Sequence, residues 1–254
     1  MTAARGEFVG KAVFLTGAAS GLGRAAAVAF AREGAAVTLL DFDEKGLAAT
    51  AQAVEAAGAS VLPIVADLAD VQALSGHVAR AVEVFGGLDA LCNIAGMCRF
   101  DHAATITPDI WDRIFAVNLR APFFLIQAAL PHLLAREGAV VNVASASAFQ
   151  GTAYLAHYAA SKAALVSMTK TLAMEYSAAP IRINALAPGG IASGMAATMH
   201  VPDGADASLI GRYSGLRGVS EPEDFCEALL LLAGPRGRVF HGACLNADRG
   251  VTAG

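Results

Sequence analysis

The sequence predicts a single doubly wound α/β domain over residues 1–254, a parallel sheet of about seven strands with helices on both faces. Three observations predict it. Short apolar runs alternate with helix-length segments along the chain, and parallel strands need crossovers of that length, which lay helices on both faces of the sheet. The composition, 56% hydrophobic with 16% charged residues, is far from that of disordered chains. No repeat, low-complexity linker or charge run marks a boundary, and 254 residues fit one large core.

The elements follow in order. A first strand, Ala12 to Thr16, runs through a glycine-rich loop into a helix at about Gly23 to Glu33. The second strand, Ala36 to Asp41, precedes a helix from Glu44 to Ala57, with Asp43 placed to cap it. Val61 to Ala66 and Leu88 to Asn93 flank a helix from Val71 to Phe85. A long helical pattern from Pro108 to Arg136 starts with proline where a first turn tolerates it. Ala139 to Ser145 is the fifth strand, followed by a helix from Thr152 to Ser177. Ile181 to Leu186 and Ala243 to Asn246 complete the sheet around a helix at Glu221 to Ala233. Each strand is too short for a helix, and most are flanked by Gly, Asp, Asn or Pro. Gly189 to Gly215 is long, glycine-rich and weakly periodic, and a loop of that size is usually functional.

With 18 basic and 22 acidic residues the net charge is −4, so no basic excess serves a nucleic acid or an anionic membrane. The longest apolar run, Ala121 to Ala135, is interrupted by Pro122, Gln127, Pro131 and His132 and is shorter than the roughly 18 residues of a membrane span. Cys92, Cys98, Cys226 and Cys244 lack ligand spacing, and Met1 to Lys11 has no apolar core of a secretory leader. A cytoplasmic protein without nucleic-acid or membrane partners is expected. No catalytic metal is expected either, because His77, His102, His132, His200 and His241 have no ligand-like spacing.

Thr16-Gly17-Ala18-Ala19-Ser20-Gly21-Leu22-Gly23 links the first strand to its helix. Glycines let backbone approach a pyrophosphate, and a helix N-terminus offers free N–H groups and a positive dipole end. Asp41 closes the second strand, where such folds place a carboxylate on the adenosine ribose hydroxyls. It would repel a 2′-phosphate. Ala19 and Ser20 are not basic and no Arg follows Asp41 at once, so the expected cofactor is NAD, held by Gly17, Ser20, Gly21, Leu22, Gly23 and Asp41.

Tyr158 and Lys162 stand at i and i+4, on one helical face. With four Tyr and four Lys in the chain, chance would produce such a pair in roughly 6% of arrangements. Ser145 ends the fifth strand and would face the same crevice. Oxidising an alcohol needs a base for the hydroxyl proton, and an ordinary phenol near pKa 10 must be lowered to serve. One cation at about 4 Å supplies about 4 kcal/mol at an effective dielectric of 20, which Lys162 could provide. Ser145 would hold the substrate oxygen. His157 points about 100° away from Tyr158 on a helix and is expected to be a side or interface residue.

The Thr-Gly-x-x-x-Gly-x-Gly loop, Asp67, Asn93-Ile94-Ala95-Gly96, Asn118 in Val-Asn-Leu, the Ser145, Tyr158, Lys162 set and Pro188-Gly189 together resemble the short-chain dehydrogenase/reductase family, a Rossmann fold, over nearly the whole chain. The resemblance implies that Asn118 completes the catalytic group by holding a water-linked proton path from Lys162. It implies that Asp67 and Leu68 meet the adenine, and that Asn93, Ala95 and Gly96 serve the sheet and ribose region. Pro188, Gly189, Ile191 and Ser193 would lie at the nicotinamide end, with Tyr158 and Lys162 also in the cofactor site. A homotetramer is implied too. Three positions depart from the usual pattern: Ile94 replaces a second Asn, Ser193 replaces Thr, and the late Asp-Gly-Gly reads Asp248-Arg249-Gly250.

The expected activity is reversible hydride transfer between NAD and a small-molecule secondary alcohol or ketone, with Tyr158 as general base and acid. The alternatives are an NADPH-dependent ketone reductase such as a 3-oxoacyl carrier-protein reductase, against which Asp41 argues, and a non-catalytic dinucleotide-binding regulator, which would be expected to lose Tyr158 or Lys162. Residues 189–215 are expected to form a substrate lid, carrying Met195 and Met199, over a pocket with Met97, Phe100, Phe149 and Tyr154. Few charges on it favour a neutral substrate, whereas Arg99 and Arg212 could instead meet a carboxylate.

Overall fold

The computed structural model describes residues 6–192, 200–212 and 217–253. Seven parallel strands form one sheet in the order β3-β2-β1-β4-β5-β6-β7. They are β1 Ala12–Thr16, β2 Ala36–Asp41, β3 Val61–Val65, β4 Ala90–Asn93, β5 Ala139–Val143, β6 Arg182–Pro188 and β7 Cys244–Ala247. The helices are α1 Gly21–Arg32, α2 Glu44–Ala56, α3 Val71–Phe85, α4 Pro108–Phe115, α5 Ala121–Ala135, α6 Ala156–Glu175, α7 Ala207–Gly211 and α8 Cys226–Ala233.

Strand alternation sorts the side chains between two cores. Val13 and Leu15 join Leu22, Phe30, Leu47 and Leu229 on one face, while Phe14 joins Leu74, Val78, Leu125 and Leu133 on the other. Every residue of β1, β4 and β5 is buried, so these strands are apolar on both faces apart from Thr16, Asn93 and Asn142, whose side chains are hydrogen-bonded inside the fold. Chain order reverses between β1 and β4, whose register pairs Val13 with Ala90 and Leu15 with Cys92. A crevice opens at the carboxyl ends of the strands at such a switch point. Thr16 Oγ1 fastens it by accepting the N–H groups of Ile94 and Ala95 at 3.0 and 3.1 Å.

The element order agrees with the sequence expectation, and several boundaries differ for local reasons. β5 stops at Val143, because Ser145 turns its side chain to accept the N–H of Ser147 and caps a 3-10 turn, Ala146–Ala148. The helix expected from Thr152 begins at Ala156, after a turn in which Tyr154 adopts φ 65°. The expected Glu221 helix opens as a 3-10 turn, Pro222–Phe225, before α8. Between α4 and α5 lies a π turn, Ala116–Arg120, in which the Ala121 N–H reaches the carbonyl of Ala116.

The long apolar helix is continuous across that junction. Pro108–Ala135 is one continuous helix of 28 residues, long and apolar enough by length and composition to cross a membrane, with half of its apolar window buried in the fold. Here Leu125, Ile126, Ala129 and Leu133 pack into the core beneath the sheet.

Candidate active site

The loop after β1 is shaped by its glycines. Gly17 has φ 70°, and a Cβ there would lie 2.7 Å from the Ala95 Cα. A Cβ on Gly23 would lie 1.9 Å from the Gly17 carbonyl oxygen, and Gly21 has φ 47°. Substitution would therefore fill a cradle of backbone facing the start of α1, whose cap residue Ser20 makes no side-chain bond to the helix. Free first-turn N–H groups in such a cradle suit a pyrophosphate.

Asp41 lies at the rim, accepting the N–H of Ala19 at 2.9 Å through Oδ2 and of Asp43 at 3.0 Å through Oδ1. It thus anchors the phosphate loop to β2, and each oxygen keeps a second lone pair for a ribose hydroxyl. Asp43 does the helix capping, accepting from Gly46. Sequence reasoning missed Arg24, which stands in the same corner: its guanidinium donates to Thr50 Oγ1 at 3.0 Å and to the carbonyls of Ala19 and Gly46. One helical turn past the loop, it has no motif signal of its own.

Asp67 and buried Leu68 follow β3. The Arg113 guanidinium, 2.9 Å away, holds the Asp67 carboxyl below the usual carboxylate range. Asn93 turns its amide to Asn142 at 2.9 Å. Gly96 leaves room for Lys162, whose Nζ would be 3.3 Å from a Cβ at that position. The phosphate loop therefore abuts Ala95, and the next residue abuts the lysine.

Lys162 is buried, donating to the Val143 carbonyl at 2.7 Å with Nζ 5.9 Å from the Tyr158 ring centroid. The Tyr158 hydroxyl is hydrogen-bonded with Ser145, and Ser145 Oγ also accepts from Ser147 Oγ at 2.8 Å. The three residues lie together, but the expected lowering of the phenol is reversed. Burial pushes Tyr158 above its ordinary value, the Cys98 thiol adds to this, and the Ser145 bond opposes it. Burial also pulls Lys162 down to about 8 and pushes Cys98 up to about 12. Loss of water raises acids and lowers bases, and at Tyr158 it is the largest influence.

Asn118 owes its place to the π turn, a feature often found at functional sites. The amide is fully buried and donates to Ser161 Oγ and to the Met97 carbonyl, both at 3.0 Å. A mid-helix Asn, disfavoured by propensity, is thus accommodated where the helix widens.

His157, expected to be a side or interface residue rather than a second base, lies in the protein interior. It is fully buried, with Nε2 3.0 Å from Asp101 Oδ2 and Nδ1 accepting the Tyr158 N–H at 2.9 Å. Its partner lies 56 residues away, beyond any local pattern. Arg99, a candidate for a substrate carboxylate, donates to Asp101 Oδ1 at 2.8 Å and so has a protein partner.

After β6, a Cβ on Gly189 would sit 2.9 Å from the Asp248 Cα, and Ile191 bridges Ser220. Ser193, Met195 and Met199 lie outside the described residues. Within the expected lid, the N–H of Asp206 donates to the Tyr154 hydroxyl at 2.9 Å, and His102 Nε2 is 2.9 Å from the Asp203 carbonyl. Arg249 has φ 53° where the family pattern has glycine. Its guanidinium donates to Ser220 Oγ, the Arg217 carbonyl and Asp224 Oδ2, offsetting the backbone strain.

The family model for short chain dehydrogenases matches residues 11–202. A 3-oxoacyl-acyl-carrier-protein reductase of Thermotoga maritima is 33% identical over 243 residues, 95% of this chain and 98% of that protein. A 2,5-dichloro-2,5-cyclohexadiene-1,4-diol dehydrogenase of Sphingobium indicum is 34% identical over 249 residues, 98% of each. Among solved structures, a short chain dehydrogenase from Mycobacterium paratuberculosis bound to NAD superposes with TM-score 0.90 at 26% identity, covering 98% of this chain and 100% of that one. One from Burkholderia cenocepacia in complex with NADP gives 0.88 at 32% identity, covering 96% and 99%.

Proposed function

The chain belongs to the short-chain dehydrogenase family, and we propose that it is an NAD-dependent dehydrogenase interconverting a secondary alcohol and its ketone, with Tyr158 as general base and acid. The observation that carries this reading is the continuity of the crevice: Gly17 against Ala95, Gly96 against Lys162, and Lys162 beneath the Tyr158 ring beside Ser145.

The cradle of Gly17, Ser20, Gly21, Leu22 and Gly23 fits a pyrophosphate, Asp41 the adenosine ribose, and Asp67 with Leu68 the adenine. Asn93, Ala95, Gly96, Pro188, Gly189, Ile191 and Ser193 complete the proposed cofactor site. NAD, when bound, supplies the acceptor for the hydride leaving the carbinol carbon. Ser145 orients the substrate oxygen, and the Tyr158 oxygen takes its proton. Lys162, charged below about pH 8, stabilises the phenolate. Asn118 steadies the wall at Met97 and holds the water-linked path from the lysine. In reduction the protonated phenol, favoured by its burial, returns the proton to the carbonyl oxygen.

Arg24 favours a second reading, an NADPH-dependent ketone reductase, because a guanidinium stands in the corner where a 2′-phosphate would lie. Its bonds to the Ala19 and Gly46 carbonyls and the Asp41 charge favour NAD. The homotetramer and the cytoplasmic location belong to the same reading, supported by the apolar surface of α4 and α5 and by four free cysteines. A lid over residues 189–215 is supported by the Tyr154–Asp206 and His102–Asp203 contacts.

The test is a screen of the purified protein with NAD against polyols, sterols, hydroxy acids and cyclic alcohols, repeated with Tyr158→Phe. At least one alcohol should be oxidised, and the variant should lose at least about 10²–10⁴ in turnover with little change in dinucleotide affinity. Ordinary turnover by the Phe variant would overturn the assignment.

A further inference from the structure

His157 and Asp101 form a buried titratable pair that the proton path above does not use. Helix α6 starts at Ala156 with Leu155 at its cap, and Leu155 offers no side-chain acceptor. The first-turn N–H groups of a helix need partners from elsewhere. The N–H of Tyr158 finds one in His157 Nδ1 at 2.9 Å. An amide nitrogen only donates, so Nδ1 carries no proton and the ring's proton sits on Nε2. Nε2 donates to Asp101 Oδ2 at 3.0 Å. Asp101 Oδ1 accepts from Arg99 Nε at 2.8 Å, and the Asp101 N–H donates to the Tyr154 carbonyl at 2.9 Å.

The outcome is a chain of guanidinium, carboxylate, imidazole and amide that ends on the backbone of the proposed base. Both ring nitrogens are engaged and the ring is fully buried, so His157 is not itself a second base. The chain also bonds the loop at 97–101 to the turn that precedes α6. Met97 is held at the other end of that loop by Asn118, and Cys98, between the two clasps, lies close enough to Tyr158 and Lys162 to interact electrostatically with both. Replacing both partners of a buried hydrogen bond by apolar groups can cost little stability, so a carboxylate–imidazole bond beside the proposed base invites a role in geometry.

We propose that His157 and Asp101 are positioning residues for Tyr158, fixing through its backbone amide where the first turn of α6 presents the phenol to Ser145 and to the substrate carbon. The proposal rests on Tyr158 being the base. A displacement of about 1 Å can cost on the order of a hundredfold in rate, so the effect should appear in kcat.

Asn and Gln separate the two ring nitrogens. His157→Asn keeps an acceptor near Nδ1, and His157→Gln keeps a donor near Nε2. Both, with Asp101→Asn, His157→Leu and Tyr158→Phe, are compared for melting temperature, NAD affinity, kcat and KM on the best alcohol of the screen. We expect His157→Leu and His157→Gln to bind NAD as the wild type does and to lose roughly ten- to a hundredfold in kcat, with His157→Asn recovering part of the loss and Asp101→Asn losing less than His157→Leu. An Asn variant slower than the Gln variant overturns the route through the Tyr158 amide. Folded variants with kcat within about twofold of wild type, a loss confined to melting temperature or KM, or failure of every variant to fold assign the pair to structure and overturn the proposal. Ordinary turnover by Tyr158→Phe would instead sink the base assignment.

Discussion

Met97 and Asn118 hold each other twice: the Met97 N–H donates to Asn118 Oδ1 at 2.7 Å, and Asn118 Nδ2 donates back to the Met97 carbonyl at 3.0 Å. One side chain thus satisfies both backbone groups of a residue in the crevice wall, as a neighbouring strand would. Asn118→Leu leaves them without this partner, and because they are part-buried the cost is below the about 1–3 kcal/mol of a fully buried unsatisfied group. A lower urea midpoint is expected. An unchanged midpoint would show that the clasp does not stabilise the wall.

The phosphate cradle makes a sharper demand. Gly17→Ala puts a Cβ 2.7 Å from backbone, at a φ of 70° that side chains avoid. The loop must move away from Ala95, and dinucleotide affinity should fall at least about tenfold, or 1.4 kcal/mol. Fluorescence titration reads this directly, and wild-type affinity in the variant would contradict the cradle.

The proposed preference for NAD rests on the Asp41 carboxylate. The wild type should show higher kcat/KM with NAD than with NADP. Asp41→Asn, which keeps an oxygen for the Ala19 N–H while removing the charge, should narrow that ratio about tenfold or more, the equivalent of one lost repulsion. Equal or better use of NADP by the wild type would favour the Arg24 reading.

Lys162 ties stability to pH. Its folded-state value of about 8 lies below the ordinary 10.5, so between those values the unfolded chain binds more protons than the folded one. Stability attributable to this group therefore rises as pH climbs from about 8 to 10.5, and its full penalty applies below about 8. Lys162→Met removes this dependence and loses the bond to the Val143 carbonyl, an offset independent of pH. The wild-type minus variant difference in urea stability should increase across that window, and a flat difference would mean that the lysine is not buried as a neutral base.

The apolar surface of the long helices points to self-association. Trp111, Phe123 and Phe124 are more than a third exposed, and Phe123 and Phe124 line a groove with Phe115, Leu119 and Met168. Patches of this kind mark interfaces. Light scattering should give about four chain masses, and Phe123→Glu with Phe124→Glu should reduce the mass. A clean monomer at micromolar concentration would contradict the tetramer.

Period, spacing and turn chemistry in the sequence determined the seven strands, their order along the chain, the glycine cradle and the Ser145, Tyr158, Lys162 set, because these are local properties or follow from the geometry of parallel sheets. Helix interruptions were less legible: the π turn at Ala116–Arg120 carries no composition signal, since its hydrogen bonds are reset by what Asn118 meets at Met97 and Ser161. Arg24 and the His157–Asp101 pair were invisible for a related reason, as contacts across 26 and 56 residues arise only when crossovers fold back on the sheet. The ionisation of Tyr158 was decided the same way. Sequence shows that a lysine lies one turn from the phenol, but only packing sets how much water both lose, and that loss dominates the energetics of a buried charge.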